Sequence, residues 1–227
     1  MGNYTSGKIF DSGGLYSDKT VPPPAGLLPN VIRGGGDGVM TDGAVWDWHN
    51  MLWWIYCDGD DEHVSMAADL ISRWKNLSAG TIVLLYQNIK AITDSVVGSD
   101  RMFEMVGATD MIYALWDFSA NEMRLQYDIG GGVVGIAEST YGLSADPHVG
   151  FFTFGAKGLQ IMVDDQGIVE SDAGLTGTPV DVTQINIGRN AGSGSWHGWL
   201  YPLAFMNYQI PEINSQRLAS RILLEVA

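Results

Sequence analysis

Asp58, Asp60, Asp61 and Glu62 crowd four carboxylates around Gly59. Carboxylates this close can do three kinds of chemistry. Two on one side of a strand could act as acid and nucleophile on a glycosidic bond. Oxygens gathered on a turn could ligate Ca²⁺. Or the side chains could accept the backbone N–H groups of the turn that carries them. Here the acids flank an Asp-Gly pair with no apolar residue between them, which is the pattern of a turn and not of an alternating strand. Turn bonding is therefore the expectation. Asp58, Asp60 and Asp61 are the Ca²⁺ candidates, and no other cofactor is implied.

No other residue set points to catalysis. His49, His63, His148 and His197 lack the i, i+4 spacing of a metal-binding helix. Cys57 is the single cysteine, so it makes no internal disulfide and belongs to no zinc-type pair. There is no Gly-x-Ser-x-Gly elbow, and the glycine runs at 34–36 and 130–132 lack the following Lys of a phosphate-cradling loop. The expectation is a protein without catalytic residues.

The aromatic residues say more. Trp46, Trp48, Trp53, Trp54 and Tyr56 fall within eleven positions. A strand with one wet face alternates apolar and polar residues, but Leu52-Trp53-Trp54-Ile55-Tyr56, Leu84-Leu85-Tyr86 and Phe151-Phe152 do not. Both faces of those strands should be covered, the inner by the sandwich core and the outer by an arm, a helix or another subunit. Trp196 and Trp199, beside the Gly/Ser stretch 190–195, are the candidates for stacking sugar rings.

The elements that must carry these residues are mostly strands. The 227 residues hold 29 Gly and a net charge of −14, with 46% hydrophobic and 17% charged residues. That composition excludes a disordered chain. The acidic balance argues against nucleic acid and membrane as partners, since both need a cationic face. Short runs bounded by Gly, Asp and Asn predict strands near 52–58, 62–67, 80–87, 101–107, 111–117, 121–128, 132–138, 149–155, 158–164, 183–188 and 197–207. A brief helix is predicted at 69–77 behind an Asp69 cap, and a last helix at 211–225 with Pro211 as its first residue. Residues 1–45 differ: they are rich in Gly and Pro, show neither period, and read as an extended arm on a body of 46–227. The arm's apolar side chains, Tyr4, Ile9, Phe10, Leu15, Tyr16, Val21, Leu27, Leu28, Val31 and Ile32, are its expected assembly anchors. Deleting it is expected to leave a folded body.

Four landmarks in order resemble one known family. Tyr56-Cys57-Asp58-Gly59-Asp60-Asp61-Glu62-His63-Val64-Ser65-Met66 resembles the first hairpin of laminin-G-like domains, and Gly80-Thr81-Ile82-Val83-Leu84-Leu85-Tyr86 their next strand. The late hairpin is matched by Gly158-Leu159-Gln160-Ile161-Met162-Val163-Asp164-Asp165-Gln166-Gly167. The closing strands are matched by Ile185-Asn186-Ile187-Gly188-Arg189 and Trp196-His197-Gly198-Trp199-Leu200. The resemblance implies an all-β, concanavalin A-like jelly-roll β-sandwich of two antiparallel sheets, with an extended N-terminal arm and a short C-terminal helix. The longer turn at 164–167 and the stretch 88–100, read as an insertion, depart from the family pattern.

Two functions follow as expectations. The first is a non-enzymatic structural or assembly protein. It would be a bacteriophage virion component, made in the host cytoplasm without a signal peptide. It would decorate the capsid or head surface, or belong to a tail fibre or baseplate. Its partners would be a major capsid or tail protein and copies of itself. The alternative is a carbohydrate-binding, lectin-like or host-adhesion module that meets a surface glycan.

Overall fold

Period-two alternation and Gly-rich turns produce fifteen strands and two helices in the computed structural model, which describes residues 19–28, 36–75, 77–89, 99–142, 144–170, 181–188 and 195–226. The strands are β1 (Leu27–Leu28), β2 (Gly38–Thr41), β3 (Val45–His49), β4 (Leu52–Asp58), β5 (His63–Ser65), β6 (Gly80–Asn88), β7 (Ser99–Val106) and β8 (Asp110–Asp117). They continue as β9 (Glu122–Ile129), β10 (Gly132–Ser139), β11 (His148–Gly155), β12 (Gly158–Val163), β13 (Val169–Glu170), β14 (Gln184–Ile187) and β15 (His197–Met206). The helices are α1 (Ala68–Trp74) and α2 (Glu212–Val226). None of the described helices is long and apolar enough to cross a membrane.

Two antiparallel sheets face each other as a jelly-roll sandwich. One has eight strands in the order β1-β2-β5-β14-β7-β8-β9-β10, the other seven in the order β13-β12-β11-β6-β15-β4-β3. Between them Ile55, Leu84, Phe103, Ile112, Leu125, Phe152, Ile161 and Leu200 form the main core. A second apolar layer lies on the outer face of the seven-stranded sheet, where Val83, Leu85, Phe151 and Met162 pack with Ile210, Ala219 and Ile222. All nine residues of β6 are consequently buried. This is why β6 shows no alternation: one face fills the sandwich and the other lies under α2 and the segment leading into it.

Three local expectations need correction. The sheets begin before residue 46: β1 pairs with β2, β2 pairs with β5, and Met40 lies in the core. The signal is missing because Gly38 is the other inward residue of β2, and a Cβ there would lie 2.9 Å from Val64 Cγ1. Leu27 and Leu28 are strand residues, and Val21 is exposed; Tyr4, Ile9, Phe10, Leu15, Tyr16, Val31 and Ile32 lie outside the described residues, as does most of 88–100. Asp69 does not cap α1. Ala67 holds that position without a side-chain bond, and Asp69 Oδ1 instead accepts Gly36 N–H at 3.1 Å. Finally, α2 starts one residue after Pro211, whose carbonyl accepts the N–H groups of Asn214 and Ser215.

Candidate functional site

Trp196 and Trp199 sit three positions apart, and on an extended chain an odd separation sends side chains to opposite faces. Trp196 points into the core, fully buried against Tyr86 and Trp116, and it offers no face to a ligand. Burial also leaves its Nε1 without a hydrogen-bond partner. Trp199 points outward from β15 and stays partly buried, with part of its ring open to solvent. The two nominated tryptophans therefore form no common platform.

Trp199 instead meets residues from β3, β4 and β6. Its neighbours across the sheet are Tyr56 on β4 and Gln87 on β6. The His49 imidazole lies on the indole at 3.8 Å between centroids and 6° from parallel, and Tyr56 leans on it at 5.5 Å. Trp199 Nε1 donates to Asp47 Oδ2 at 2.8 Å, which fixes the ring's rotation. Trp48 and Trp53, both half-buried, meet edge to face at 5.6 Å on the opposite face of the same hairpin, each being an odd number of positions from His49 or Tyr56. His49, Tyr56 and Trp199 thus form a terrace of three aromatic rings bordered by one carboxylate.

The β3–β4 turn places His49. Asn50 and Met51 both adopt left-handed backbone, φ 47° and 64°, the pair of positive angles that a two-residue type I′ hairpin needs. Asn suits the first position, whereas Met51 at the second carries strain and stands 78% exposed at the tip. Below the turn, buried Gln87 joins the parts together. Its Oε1 accepts Asn50 Nδ2 at 3.0 Å and lies 2.8 Å from His49 Nε2. An amide oxygen only accepts, so His49 Nε2 carries a proton in this contact. Gln87 Nε2 then donates to Ala145 O at 2.6 Å, tying the terrace to the loop before β11.

The acidic cluster behaves as a turn. Asp60 N–H is shared by Asp58 Oδ1 at 3.1 Å and Glu62 Oε2 at 3.2 Å, and Asp61 O accepts His63 Nδ1 at 2.8 Å. A hydrogen bond from Glu62 holds the Asp58 carboxyl below its usual range, while burial and Asp58 push Glu62 up. Among the described residues no group of three His, Cys, Asp or Glu side chains is arranged to hold a metal. Cys57 is buried beneath this turn, and burial, then Glu62 and Asp58, push its thiol up to about 12, so it is inert as a nucleophile at neutral pH.

The outer face of the eight-stranded sheet carries a different, polar ladder. Ser65 Oγ donates to Asn186 Oδ1, Asn186 Nδ2 to Glu104 Oε1, and Arg101 Nη1 to Glu104 Oε2 at 3.0 Å. Arg101 lies over the Tyr113 ring at 3.9 Å, and Tyr113 Oη and Gln126 Nε2 both donate to Asp128. Further along, Arg124 binds Asp117, Glu122 and Glu138. These groups bond mainly to one another and cross-link six adjacent strands. The terrace around Trp199 is the better ligand candidate because its rings keep exposed surface. Sequence reasoning named Trp199 and noted His49 and Tyr56, but Asp47, Asn50 and Gln87 carried no motif.

No family model and no curated sequence matches the chain. Solved structures do resemble it in fold. The binding domain of botulinum neurotoxin serotype G matches with a TM-score of 0.61 and 8% identity, over 84% of this chain and 48% of that one. Domain 4 of AbnA, a GH43 extracellular arabinanase from Geobacillus stearothermophilus, solved with arabinotriose, matches at 0.58 and 11% identity, over 92% and 91%. The CBM40 of the Ruminococcus gnavus IT-sialidase, bound to α2,3-sialyllactose, matches at 0.54 and 8% identity, over 72% and 97%. The chain thus spans about half of the toxin binding domain and nearly all of the two saccharide-bound modules. At these identities the likeness establishes the jelly-roll sandwich fold.

Proposed function

We propose that this domain is a carbohydrate-binding module that holds a neutral oligosaccharide on the terrace of Trp199, His49 and Tyr56. The observation that carries it is the partly buried, mutually braced set of rings with Asp47 and Asn50 at its border. Aromatic faces receive the C–H faces of sugars, and planar polar groups receive their hydroxyls. The ligand is neutral because the bordering charge is the Asp47 carboxylate and the whole chain carries −14. Saccharide-bound neighbours of the same fold support the reading by analogy. A glycan array with neutral and sialylated oligosaccharides tests it: binding confined to neutral glycans is expected, and absence of binding to either class overturns it.

A second reading is the assembly role, placed in a virion with capsid or tail proteins and copies of itself as partners. What favours it is the edge strand β10, the last of its sheet, where Val133 and Val134 stand exposed with Ile129 of β9 beside them. Light scattering across a concentration series tests it, with a self-associating species expected and a strict monomer counting against it.

A further inference from the structure

The loop before β11 brings a serine, a histidine and a carboxylate into line. Ser144 Oγ lies 2.9 Å from His148 Nε2, and His148 Nδ1 lies 2.8 Å from Asp164 Oδ2. Asp164 is itself held. Its Oδ1 accepts Val149 N–H at 2.9 Å, its own N–H donates to Val149 O at 2.8 Å, and its φ of 56° turns the chain as β12 ends. The imidazole and the carboxylate are 12% and 20% exposed, Tyr86 flanks the imidazole at 5.6 Å, and Ser144 lies at the surface. An ionised carboxylate only accepts, so Nδ1 carries the proton of neutral His148. Nε2 is then left to accept the Ser144 hydroxyl.

Within a serine turn Ser144 Oγ also accepts Asp146 N–H at 3.2 Å, and its single proton turns either to Asp146 Oδ2 at 3.1 Å or to His148 Nε2 at 2.9 Å. Such a turn accounts for Ser144 and Asp146. It does not account for a mostly buried imidazole, oriented by a carboxylate that follows the partner strand of the β11–β12 hairpin, whose other nitrogen ends on the same hydroxyl. That order of groups is nucleophile, base and orienting acid.

We propose that Ser144, His148 and Asp164 form a serine acyl-transfer site that cleaves carboxylic esters. Ser144 Oγ attacks the ester carbonyl carbon while its proton passes to His148 Nε2, and Asp164 stabilises the imidazolium. Collapse of the tetrahedral adduct breaks the bond to the alkoxy oxygen, which takes the proton from His148 and leaves as an alcohol. Water then attacks the acyl-Ser144 carbon, gives a proton to His148, and releases the carboxylic acid with Ser144 restored. The place of the site indicates the ester. Gln87, which accepts from Asn50 and contacts His49 on the terrace, donates to the carbonyl of Ala145, the residue after Ser144. A saccharide on the terrace would present its O-acyl groups here; this substrate assignment rests on the glycan reading, whereas ester cleavage does not.

The test uses the whole chain, a fluorophosphonate probe with peptide mapping, and p-nitrophenyl acetate. A covalent adduct on Ser144 is expected, and acetate release should fall at least tenfold in Ser144→Ala and in His148→Ala. Circular dichroism of Ser144→Ala shows that the fold persists. No adduct on Ser144, or unchanged turnover in Ser144→Ala, overturns the proposal. Acetylated xylo-oligosaccharide separates the two parts. Acetate release slowed by excess deacetylated oligosaccharide is expected, while cleavage of p-nitrophenyl acetate with none of the acetylated saccharide overturns the sugar-ester assignment alone.

Discussion

The imidazole of His49 and the indole of Trp199 lie parallel within 6° at 3.8 Å, although one ends β3 and the other comes from β15. Two left-handed residues beyond His49 and the hydrogen bonds converging on Gln87 fix this contact. Neither ring is placed by its own strand alone.

Trp199→Ala should weaken glycan binding about tenfold, close to 1.4 kcal/mol, and leave the domain folded, because the indole is only partly buried and outside the main core. Trp199→Phe should retain part of the affinity by keeping a flat ring without the Asp47 bond. Isothermal titration calorimetry against an oligosaccharide found on the array measures both; equal affinity in wild type and Trp199→Ala would place the ligand elsewhere.

Gly198 holds the strand that presents Trp199. Its φ is +145°, and a Cβ there would lie 2.2 Å from Gln87 O and 3.0 Å from Ile89 N. Those are backbone atoms of the paired strand and its continuation, so no side chain can swing away. Gly198→Ala should cost about 3 kcal/mol or more in urea unfolding. A loss below about 1 kcal/mol would mean that the β6–β15 ladder yields more easily than this geometry allows.

The Asp58–Glu62 pair makes stability depend on pH in two directions. Glu62 is raised, first by burial and then by Asp58, so its contribution is present below the ordinary carboxylate range and is lost as pH rises through its folded value. Asp58 is lowered, first by its bond with Glu62 and then by Asp60 N–H. Its contribution is present above its ordinary range and is lost as pH falls through its folded value. One shared proton suits the pair best. Glu62→Gln keeps a donor without a charge, so its melting temperature relative to wild type should climb as pH rises from the ordinary carboxylate range through the raised Glu62 value. A difference that stays flat with pH would remove the pair from the account.

Deleting residues 1–45 should destabilise the sandwich. The deletion removes β1 and β2, unpairs β5 on one side, and strips Trp46 Nε1 of its acceptors Pro24 O at 3.2 Å and Leu27 O at 3.0 Å. Losing Met40 from the core alone should cost about 2–5 kcal/mol. A truncated chain whose thermal unfolding matches the full length would restore the idea of a dispensable arm.

Most strands were legible in the sequence because their inner faces are Leu, Ile, Val, Phe and Met between Gly and Asp turns, a pattern set by the two-residue repeat of extended chain. Unbroken apolar runs such as Leu84-Leu85-Tyr86 also showed that a second layer must cover them, and the amphipathic 211–225 was there to supply it. The β2 strand was hidden because half of its inward signal is a glycine. The candidate site was largely hidden for another reason. Asp47, His49, Gln87 and Trp199 lie on three strands whose register only sheet pairing decides, and Ser144, His148 and Asp164 come from two turns brought together by the β11–β12 hairpin. Local sequence sets which face a side chain takes, as Trp196 and Trp199 show by going opposite ways. Which distant side chains share that face is set by pairing between strands far apart in the chain, and tertiary structure alone decides it.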